Sequence, residues 1–225
     1  LAYTWSKAMD FANDDTSDVS LGRPYRAWNY GPADFDQTHI FSFNYIWDIP
    51  NLSRVWDTRL VRALFDGWQL SGITSLVTGK PFTPSMSTQP SFDITGGSVG
   101  ARPNMLHNPN LSEPKRAADG TPVFVDASAF ARPARGDFGN MPRNVARLPG
   151  VNNWDMSLFK NIRLGEKRNL QLRWEAYNVF NHANFNAVDT QLIFDANGNQ
   201  INANFGAATS ARPPRVMQGS IRFSF

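Results

Sequence analysis

The sequence predicts an all-β protein built on an antiparallel meander of about six long strands. Six segments alternate apolar and polar side chains with a period of two, at residues 1–9, 39–48, 67–78, 153–163, 169–181 and 215–225. The segments are about 9–13 residues long, whereas a strand of a globular protein usually has about 5–6 residues. A tilted strand that crosses a bilayer needs about 9–11 residues. The lengths therefore favour strands that span a membrane.

The first three segments each have one apolar, aromatic-rich face. Their opposite faces carry small or polar residues such as Thr4, Asn44 and Gln69. A strand with two such different faces separates two different environments. The apolar faces carry Leu1, Tyr3, Trp5 and Met9, then Phe41, Phe43, Tyr45 and Trp47, then Trp68, Leu70, Thr74 and Leu76.

The last three segments repeat the pattern. Their apolar faces carry Trp154, Met156, Leu158 and Ile162, then Leu170, Leu172, Trp174 and Ala176, then Met217, Ile221, Phe223 and Phe225. Their opposite faces are rich in amides and charges, and Arg173 and Glu175 can pair with each other or with neighbouring strands. We predict that the polar residues face a lumen, the main candidates being Asp155, Asn161, Gln171, Arg173, Glu175 and Arg222.

The links between the segments alternate in length. Long links cover about residues 10–38, 79–151 and 182–213, and they are separated by a medium link and by the tight turn LGEKR. Alternate links of a meander lie at the same end, so one end has large loops and the other has short turns. Outer-membrane barrels have this asymmetry, with long extracellular loops and short periplasmic turns. In the medium link TRLVRALFDG predicts a turn or two of helix, and IFDANGNQI predicts a small hairpin that closes on Asn197 and Gly198.

The alternation alone also fits a soluble β-sandwich that binds sugar. Aromatic placement favours the membrane barrel, because aromatic girdles lie at bilayer interfaces. A sandwich core would instead concentrate β-branched aliphatic residues at strand centres. We therefore predict a transmembrane β-barrel in which the apolar face meets lipid. The predicted girdle, which we place near strand ends, consists of Trp5, Tyr45, Trp47, Trp68, Trp154 and Phe225.

The chain ends in mid-strand on GSIRFSF. A soluble domain usually ends in a frayed polar tail, whereas a strand that closes a barrel leaves no unpaired edge. The chain begins at Leu1 in what already reads as a strand. We expect residues 1–225 to be a single C-terminal piece of a barrel whose six strands form an open, curved sheet on their own.

Composition and motifs argue against several classes of function. There is no cysteine, which excludes a disulfide scaffold and a thiolate metal site. The net charge is only +3 and the arginines are dispersed, so we expect no nucleic-acid partner. The histidines His39, His107 and His182 are far apart, and no nucleophile elbow or P-loop is present. We expect no enzyme, no cofactor and no metal. The oxygen-rich segments 13–18 and 195–199 fit solvated turns better than calcium loops.

The segment GDFGNMPRNVARLPGVNNWDMSLFKNIRLGEKRNLQLRWEAYNVFNHANFN closely resembles the end of the TonB-dependent receptor family. YTWSKAMD, FDGWQLSGITSLVTGKPFTP and the terminal IRFSF resemble the same family, in particular the Oar-like outer-membrane receptors with a carboxypeptidase-regulatory-like domain. The resemblance covers nearly the whole chain except the interiors of the long loops.

The resemblance implies a barrel of about 22 strands plugged by an N-terminal domain, in the outer membrane of a Gram-negative bacterium. Such receptors import large or scarce ligands, such as metal chelates or oligosaccharides, with energy from a TonB complex that contacts the plug. The implied partners are outer-membrane lipid, the plug, the remaining strands, the TonB complex and the assembly machinery. Ile221, Phe223 and Phe225 resemble the C-terminal signal that this machinery recognises. The alternative is a structural or adhesive barrel without active transport.

Overall fold

The computed structural model describes residues 1–12, 25–97, 100–165 and 168–225. The oxygen-rich segment 13–18 lies outside these residues, as do Glu166 and Lys167 of the predicted tight turn.

Six strands form one antiparallel sheet, of which the first is short and the other five are long. They are β1 (Ala2–Trp5), β2 (His39–Asp48), β3 (Trp68–Val77), β4 (Val151–Arg163), β5 (Asn169–Tyr177) and β6 (Val216–Ser224). Their order in the sheet is their order in the chain, which is a meander. Among the described residues β1 pairs with β2 alone and β6 with β5 alone, so the sheet is open. This architecture confirms the predicted fold class.

Two strands are shorter than their alternating patterns predict. The first pattern runs to Met9, but β1 ends at Trp5 because the Ala8 amide donates to Asp36 Oδ1 at 2.8 Å and leaves the sheet. The fifth pattern runs to residue 181, but β5 ends at Tyr177. Asn178 has a left-handed φ of 51° and its amide donates to Asp155 Oδ1 at 2.9 Å. Hydrogen bonds to carboxylates distant in sequence thus end both strands before their alternation does.

The register sorts the side chains onto two opposite faces. Residues directly opposite in antiparallel strands point to the same side. One such row across the middle of the sheet is Trp47, Leu70, Leu158 and Trp174, and an adjacent row is Ser71, Ser157, Glu175 and Gln218. The sheet therefore has one apolar face and one mainly polar face, which Ile46 and Ile73 interrupt.

The two ends of the sheet differ as predicted. Loops L1 (residues 6–38), L2 (78–150) and L3 (178–215) lie at one end, and turns T1 (49–67) and T2 (164–168) lie at the other. T1 contains a 3-10 turn, Leu52–Arg54, and the helix Arg59–Phe65, which we call the T1 helix. Thr58 caps the T1 helix, since its hydroxyl accepts from the Val61 amide at 3.2 Å. This confirms the short helix predicted in the medium link.

The three long loops fold into one packed body, which we call the cap. It contains a helix, Tyr25–Asn29, and a 3-10 turn, Ala127–Ala129. Its short strands pair as Met9–Asp10 with Gly31–Pro32, Pro81–Phe82 with Ala146–Arg147, Asn104–Met105 with Phe130–Ala131, Asn110–Arg116 with Pro122–Val125, Phe185–Val188 with Ala208–Ala211, and Ser85–Gln89 with Gln191–Asp195.

The main hydrophobic core of the described residues lies in the cap rather than in the sheet. Phe130 and Phe205 meet edge to face, with ring centroids 5.7 Å apart. Apolar side chains from L2 and L3 surround them, so the two loops share one core. Its buried members are Val125, Ala129, Phe130, Met141, Ala146, Leu192, Phe194 and Phe205. In the part of the chain that the structure describes, no helix is long and apolar enough to cross a membrane.

Candidate functional site: the cap and the polar face

A hydrogen-bonded network centred on Glu175 occupies the polar face of the sheet. Glu175 is buried, and its carboxylate accepts from Arg173 Nη2, from Gln218 Nε2 and, at 3.3 Å, from Ser157 Oγ. The Arg173 guanidinium also lies over the Phe159 ring, 5.0 Å from its centroid. A buried carboxylate needs such partners, because an unpaired one is costly. The network joins β4, β5 and β6 on the predicted lumen side.

The other polar candidates lie on the same face, and Asp155 lines one open pocket with Ser157, Arg173 and Glu175 of this network. Asp155 Oδ1 accepts from Asn153 Nδ2 at 3.0 Å and from the Asn178 amide, so it braces the end of β5. Gln171 donates to Asn161 Oδ1 at 2.9 Å near T2, and Arg222 lies directly opposite Gln171 on β6. The structure thus places all six candidates on one face without gathering them into one pocket. Their contact with a lumen stays a prediction.

The predicted girdle residues all lie on the apolar face. Trp5 and Trp154 lie toward the loop end, and Trp47 and Trp68 lie at the turn end. Phe225 follows β6 at the turn end and is 94% exposed, stacked on Phe223 at 5.9 Å.

Tyr45 lies three residues before the end of β2, the same separation as that of Trp154 from the start of β4. It is opposite Gly72 at the middle of β3, and its ring covers that glycine. A Cβ at Gly72 would lie 2.4 Å from the Tyr45 hydroxyl oxygen. The aromatic ring thus occupies the space that a missing side chain leaves.

Residues 139–147 of L2 tie the cap together, although the sequence presents them only as a loop. Asn144 has a left-handed φ of 55°, its amide donates to Thr83 Oγ1 at 2.9 Å, and its side chain donates to the Pro32 carbonyl of L1 at 2.7 Å. Met141 is fully buried in the cap core. One short segment therefore contacts L1, the start of L2 and the core at once.

A buried ion pair joins L1 to L2 at the base of the cap. Arg147 Nη2 lies 2.6 Å from Asp36 Oδ2, and the Asp36 side chain is completely buried. Asp36 also accepts from the Ala8 amide and from Thr38 Oγ1 at 3.2 Å, while Arg147 Nη1 donates to the Gly79 carbonyl at 3.0 Å. Burial raises the pKa of Asp36, but the hydrogen bonds from Arg147 and Ala8 and the Arg147 charge lower it more, so the net pKa is below the ordinary value.

Two further arginines pack into the same base. Arg143 Nη1 lies 2.8 Å from Asp10 Oδ1, which joins L2 to L1 again. Arg102 lies over the Trp28 ring at 4.3 Å and donates to the Trp28 carbonyl at 2.5 Å. Burial and the charge of Arg143 lower the pKa of Arg102. The base of the cap is therefore a dense set of charge-assisted contacts.

L3 joins the cap through a parallel strand pair. Ser85–Gln89 of L2 runs beside Gln191–Asp195 of L3, and the Ser85 amide donates to the Thr190 carbonyl at 2.9 Å. Leu192 and Phe194 point from this pair into the core. The predicted hairpin is present, because the Asp195 and Ile201 amides donate to the Asn199 and Ile193 carbonyls at 2.9 and 2.8 Å. The long loops thus form one preorganised surface.

The described residues contain no group of three or more acidic or histidine side chains that could hold a metal ion. In the segment 195–199, the Asp195 carboxylate accepts from the Asn199 amide at 2.7 Å and from Asn199 Nδ2 at 2.9 Å. These bonds lower the pKa of Asp195. The carboxylate closes a turn, in agreement with the interpretation favoured from the sequence.

Gly139 and Gly136 give a matched test of the cap's tight packing. Both have positive φ, 78° and 83°, but a Cβ at Gly139 would lie 1.8 Å from the Arg102 carbonyl oxygen, whereas a Cβ at Gly136 would meet nothing within 4 Å. Either change to alanine should cost about 1–2 kcal/mol for the left-handed backbone. Gly139→Ala should cost about 1–3 kcal/mol more, since the backbone of Arg102 must move.

The measurement is amide hydrogen exchange in L2. The Arg102 and Met141 amides donate to the Phe138 and Pro103 carbonyls, at 2.9 and 3.2 Å. We expect these amides to lose protection in Gly139→Ala and to keep most of it in Gly136→Ala. Equal loss in the two variants would show that backbone conformation, and not the close approach of the chains, sets the cost.

Sequence reasoning missed the packed cap. A signal for one part was present, because Leu192, Ile193 and Phe194 form a short apolar run that is typical of a buried strand. The pairing of this strand with Ser85–Gln89, about 100 residues earlier, has no local signature. The contacts of Asn144, Arg143 and Arg147 also join positions that are distant in sequence, and single residues of these types do not reveal them.

An open sheet with one apolar and one polar face, long loops at one end and short turns at the other, has the features of the wall of an outer-membrane β-barrel. A family model described as an outer membrane beta barrel domain matches residues 1–218. The chain belongs to this family, and its location is the bacterial outer membrane. Searches of curated proteins and of solved structures gave no match.

Proposed function

We propose that the chain is the C-terminal barrel segment of a TonB-dependent outer-membrane receptor that takes up a large or scarce ligand of the metal-chelate or oligosaccharide class. The observation that carries the proposal is the cap. Loops L2 and L3 share a core, and the buried ion pair of Asp36 with Arg147 joins L1 to L2, so the three loops offer an ordered surface at the loop end of the barrel. An ordered surface binds a ligand with less loss of loop entropy than three mobile loops would.

The polar face supports the same proposal. The Glu175 network and the Gln171–Asn161 pair would face a plug domain, and hydrogen bonds and ion pairs are the contacts by which a wall holds a plug. Apolar residues interrupt this face and are well exposed, notably Ile46 and Ile73. A plug that covered them would remove apolar area from water. The resemblance of the chain to TonB-dependent receptors adds the energy source, a TonB complex that acts through the plug.

The test compares growth of the natural host with and without the gene, on limiting iron chelates or oligosaccharides as sole nutrients. We expect deletion to impair growth on one of these nutrients, and we expect inactivation of TonB to reproduce the defect. The control is a small nutrient that enters through general porins, on which neither strain should be impaired. If deletion of the gene still impaired growth in a strain whose TonB is already inactive, uptake would not depend on TonB. That result would contradict active transport.

The second candidate is a structural or adhesive barrel without active transport. The observation that favours it is the set of large apolar side chains exposed on the cap, namely Phe35, Leu106 and Ile201. Exposed apolar residues on an ordered surface fit a protein partner. This candidate predicts that deletion impairs surface attachment or envelope integrity and leaves growth on every nutrient of the panel unchanged.

A further inference from the structure

The T1 helix is amphipathic, with its two faces clearly separated. At 100° per residue, the four residues Leu60, Val61, Leu64 and Phe65 fall within an arc of about 140°. Arg59, Arg62 and Ala63 fall on the opposite side. A helix of this pattern normally buries its apolar arc.

The apolar arc of the T1 helix is instead exposed in the described structure. Leu60 is 66% exposed and Leu64 is 54% exposed. Trp56, just before the helix, is 65% exposed, and Val55 and Phe65 are exposed as well. Contiguous apolar exposure of this kind marks a surface that contacts something other than water.

Two side chains of the sheet's apolar face hold the end of this helix. The Trp68 indole donates to the Leu64 carbonyl at 2.8 Å, and the Lys160 ammonium donates to the Asp66 carbonyl. Lys160 is on the apolar face of β4, where its ammonium lies 5.3 Å from the centroid of the Trp68 ring. The hydrogen bond to Asp66 places the Lys160 ammonium toward the end of the sheet. Lysine side chains near a membrane interface extend their charged ends toward water in the same way. The helix is therefore continuous with the surface that meets lipid.

T1 itself is fixed in place. Asp66 Oδ1 accepts from the Ser53 amide at 3.1 Å, and Asn51 Oδ1 accepts from the Gly67 amide at 3.1 Å. The hydrogen bonds from Ser53 lower the pKa of Asp66. The polar arc of the helix lines an open cavity of about 700 Å³ that Lys160 and Arg163 also line. Asp48 and Asp66 line the same cavity and Arg62 pairs with Asp57, so the five cations Arg54, Arg59, Arg62, Lys160 and Arg163 against three carboxylates leave a net positive charge beside the exposed apolar arc.

We propose that T1 is an interfacial anchor that inserts Trp56, Leu60 and Leu64 into the periplasmic leaflet and binds anionic phospholipid headgroups with Arg54 and Arg59. Apolar insertion flanked by basic residues is how interfacial helices bind anionic membranes. The occupant is the lipid surface, because the cations complement anionic headgroups and because the apolar arc adjoins the sheet's lipid-facing side. This site is at the opposite end of the barrel from the cap and does not depend on transport.

Residues 1–225 contain no cysteine, so single-site labelling gives a direct test once any cysteine elsewhere in the natural protein is replaced. The natural protein is purified, reconstituted into vesicles and labelled with a fluorophore at Leu60→Cys, on the apolar arc, or at Ala63→Cys, the matched position on the polar arc. A third label at Trp56→Cys repeats the measurement outside the helix. The quenchers are brominated phosphatidylcholine in the bilayer and iodide in the water.

We expect brominated lipid to quench the Leu60→Cys and Trp56→Cys labels several-fold more than the Ala63→Cys label, and iodide to show the reverse order. Iodide quenching at Leu60→Cys equal to that at Ala63→Cys would overturn insertion. Shielding of Leu60→Cys from both quenchers would also overturn it and would indicate that a protein partner or a second copy covers the helix.

A second arm tests the headgroup. Quenching of the Leu60→Cys label by brominated lipid should increase when phosphatidylglycerol is added to phosphatidylcholine vesicles. Each basic residue near an anionic surface strengthens binding roughly five-fold, so Arg54→Gln with Arg59→Gln should remove most of this increase. Lipid quenching that is the same with and without phosphatidylglycerol would overturn the headgroup site.

Discussion

Replacing Leu158 with arginine should block assembly of the barrel wall. Leu158 lies near the middle of β4 on the apolar face, between Leu70 on β3 and Trp174 on β5. An arginine on the lipid face near the bilayer midplane costs about 2–4 kcal/mol. The neighbours in its row, Trp47, Leu70 and Trp174, offer no carboxylate to pair with the guanidinium, and the nearest polar site, at the T1 end, is already occupied by Lys160. We expect the largest loss of folded protein from this change among single substitutions in the sheet.

The matched control is Ser157→Arg, the adjacent residue on the opposite face. Its side chain would lie beside Glu175, which is directly across on β5 and can accept from a second guanidinium. Both variants are expressed from the natural gene, and the folded fraction in outer-membrane preparations is measured by heat-modifiable gel mobility. We expect little folded Leu158→Arg and near-normal Ser157→Arg. If Ser157→Arg were the more damaging change, the assignment of the two faces would be reversed.

The two faces of the sheet were predictable from sequence because strand side chains alternate with a period of two. Once Trp47, Leu70, Leu158 and Trp174 are each assigned to an apolar face, antiparallel neighbours must bring those faces together. The alternating link lengths then fix which ends carry the loops. The strand ends were less predictable. Asp36 and Asn178 end β1 and β5 through hydrogen bonds that depend on tertiary contacts, which alternation does not encode.

The cap was not predictable for a related reason. Its core is assembled from side chains such as Met141 and Phe194, which are more than 50 residues apart in sequence. Their neighbourhoods are rich in proline, glycine and asparagine, which usually mark loops. Here those residues provide positive-φ corners and side-chain hydrogen bonds, as Asn144 does. Turn-forming composition therefore shows where a chain reverses direction, and gives no information about whether the reversals pack together.

The ion pair between Asp36 and Arg147 should contribute most of the stability that holds L1 on L2. Arg147→Ala leaves the completely buried Asp36 carboxylate without its cation. Breaking a buried pair from one side costs about 3–5 kcal/mol. We expect the lower end of this range, because the Arg147 side chain is 31% exposed and water can partly replace it. The measurement is hydrogen exchange of the Ala8 amide, which donates to Asp36, and of the neighbouring amides of L1.

A double-mutant cycle separates the pair from the charge left behind. Asp36→Asn with Arg147→Ala should protect L1 better than Arg147→Ala alone, since no unpaired buried charge remains. Arg147→Lys keeps the charge but loses one of the two guanidinium contacts, the donation to the Gly79 carbonyl, and should fall between the natural chain and Arg147→Ala. Equal exchange in all the variants would show that the other contacts between L1 and L2, such as Arg143 with Asp10 and Asn144 with Pro32, hold L1 instead of this ion pair.

The pH dependence gives an independent test of the same pair. The folded pKa of Asp36 is lowered: burial raises it, and the hydrogen bonds and charge of Arg147 more than offset this. A carboxylate with a lowered folded pKa stabilises the fold above its unfolded pKa, near 3.9, and loses that stabilisation as the pH falls through the folded pKa.

Cleavage of L1 by pepsin, an acid protease, should therefore accelerate below about pH 4 in the natural chain. In Asp36→Asn the acceleration should be smaller, because this group no longer titrates and the remaining dependence comes from the other carboxylates. If Asp36→Asn kept the acid profile of the natural chain, the pKa of Asp36 would be the same in the folded and unfolded states. The contact with Arg147 would then hold L1 by packing rather than by charge.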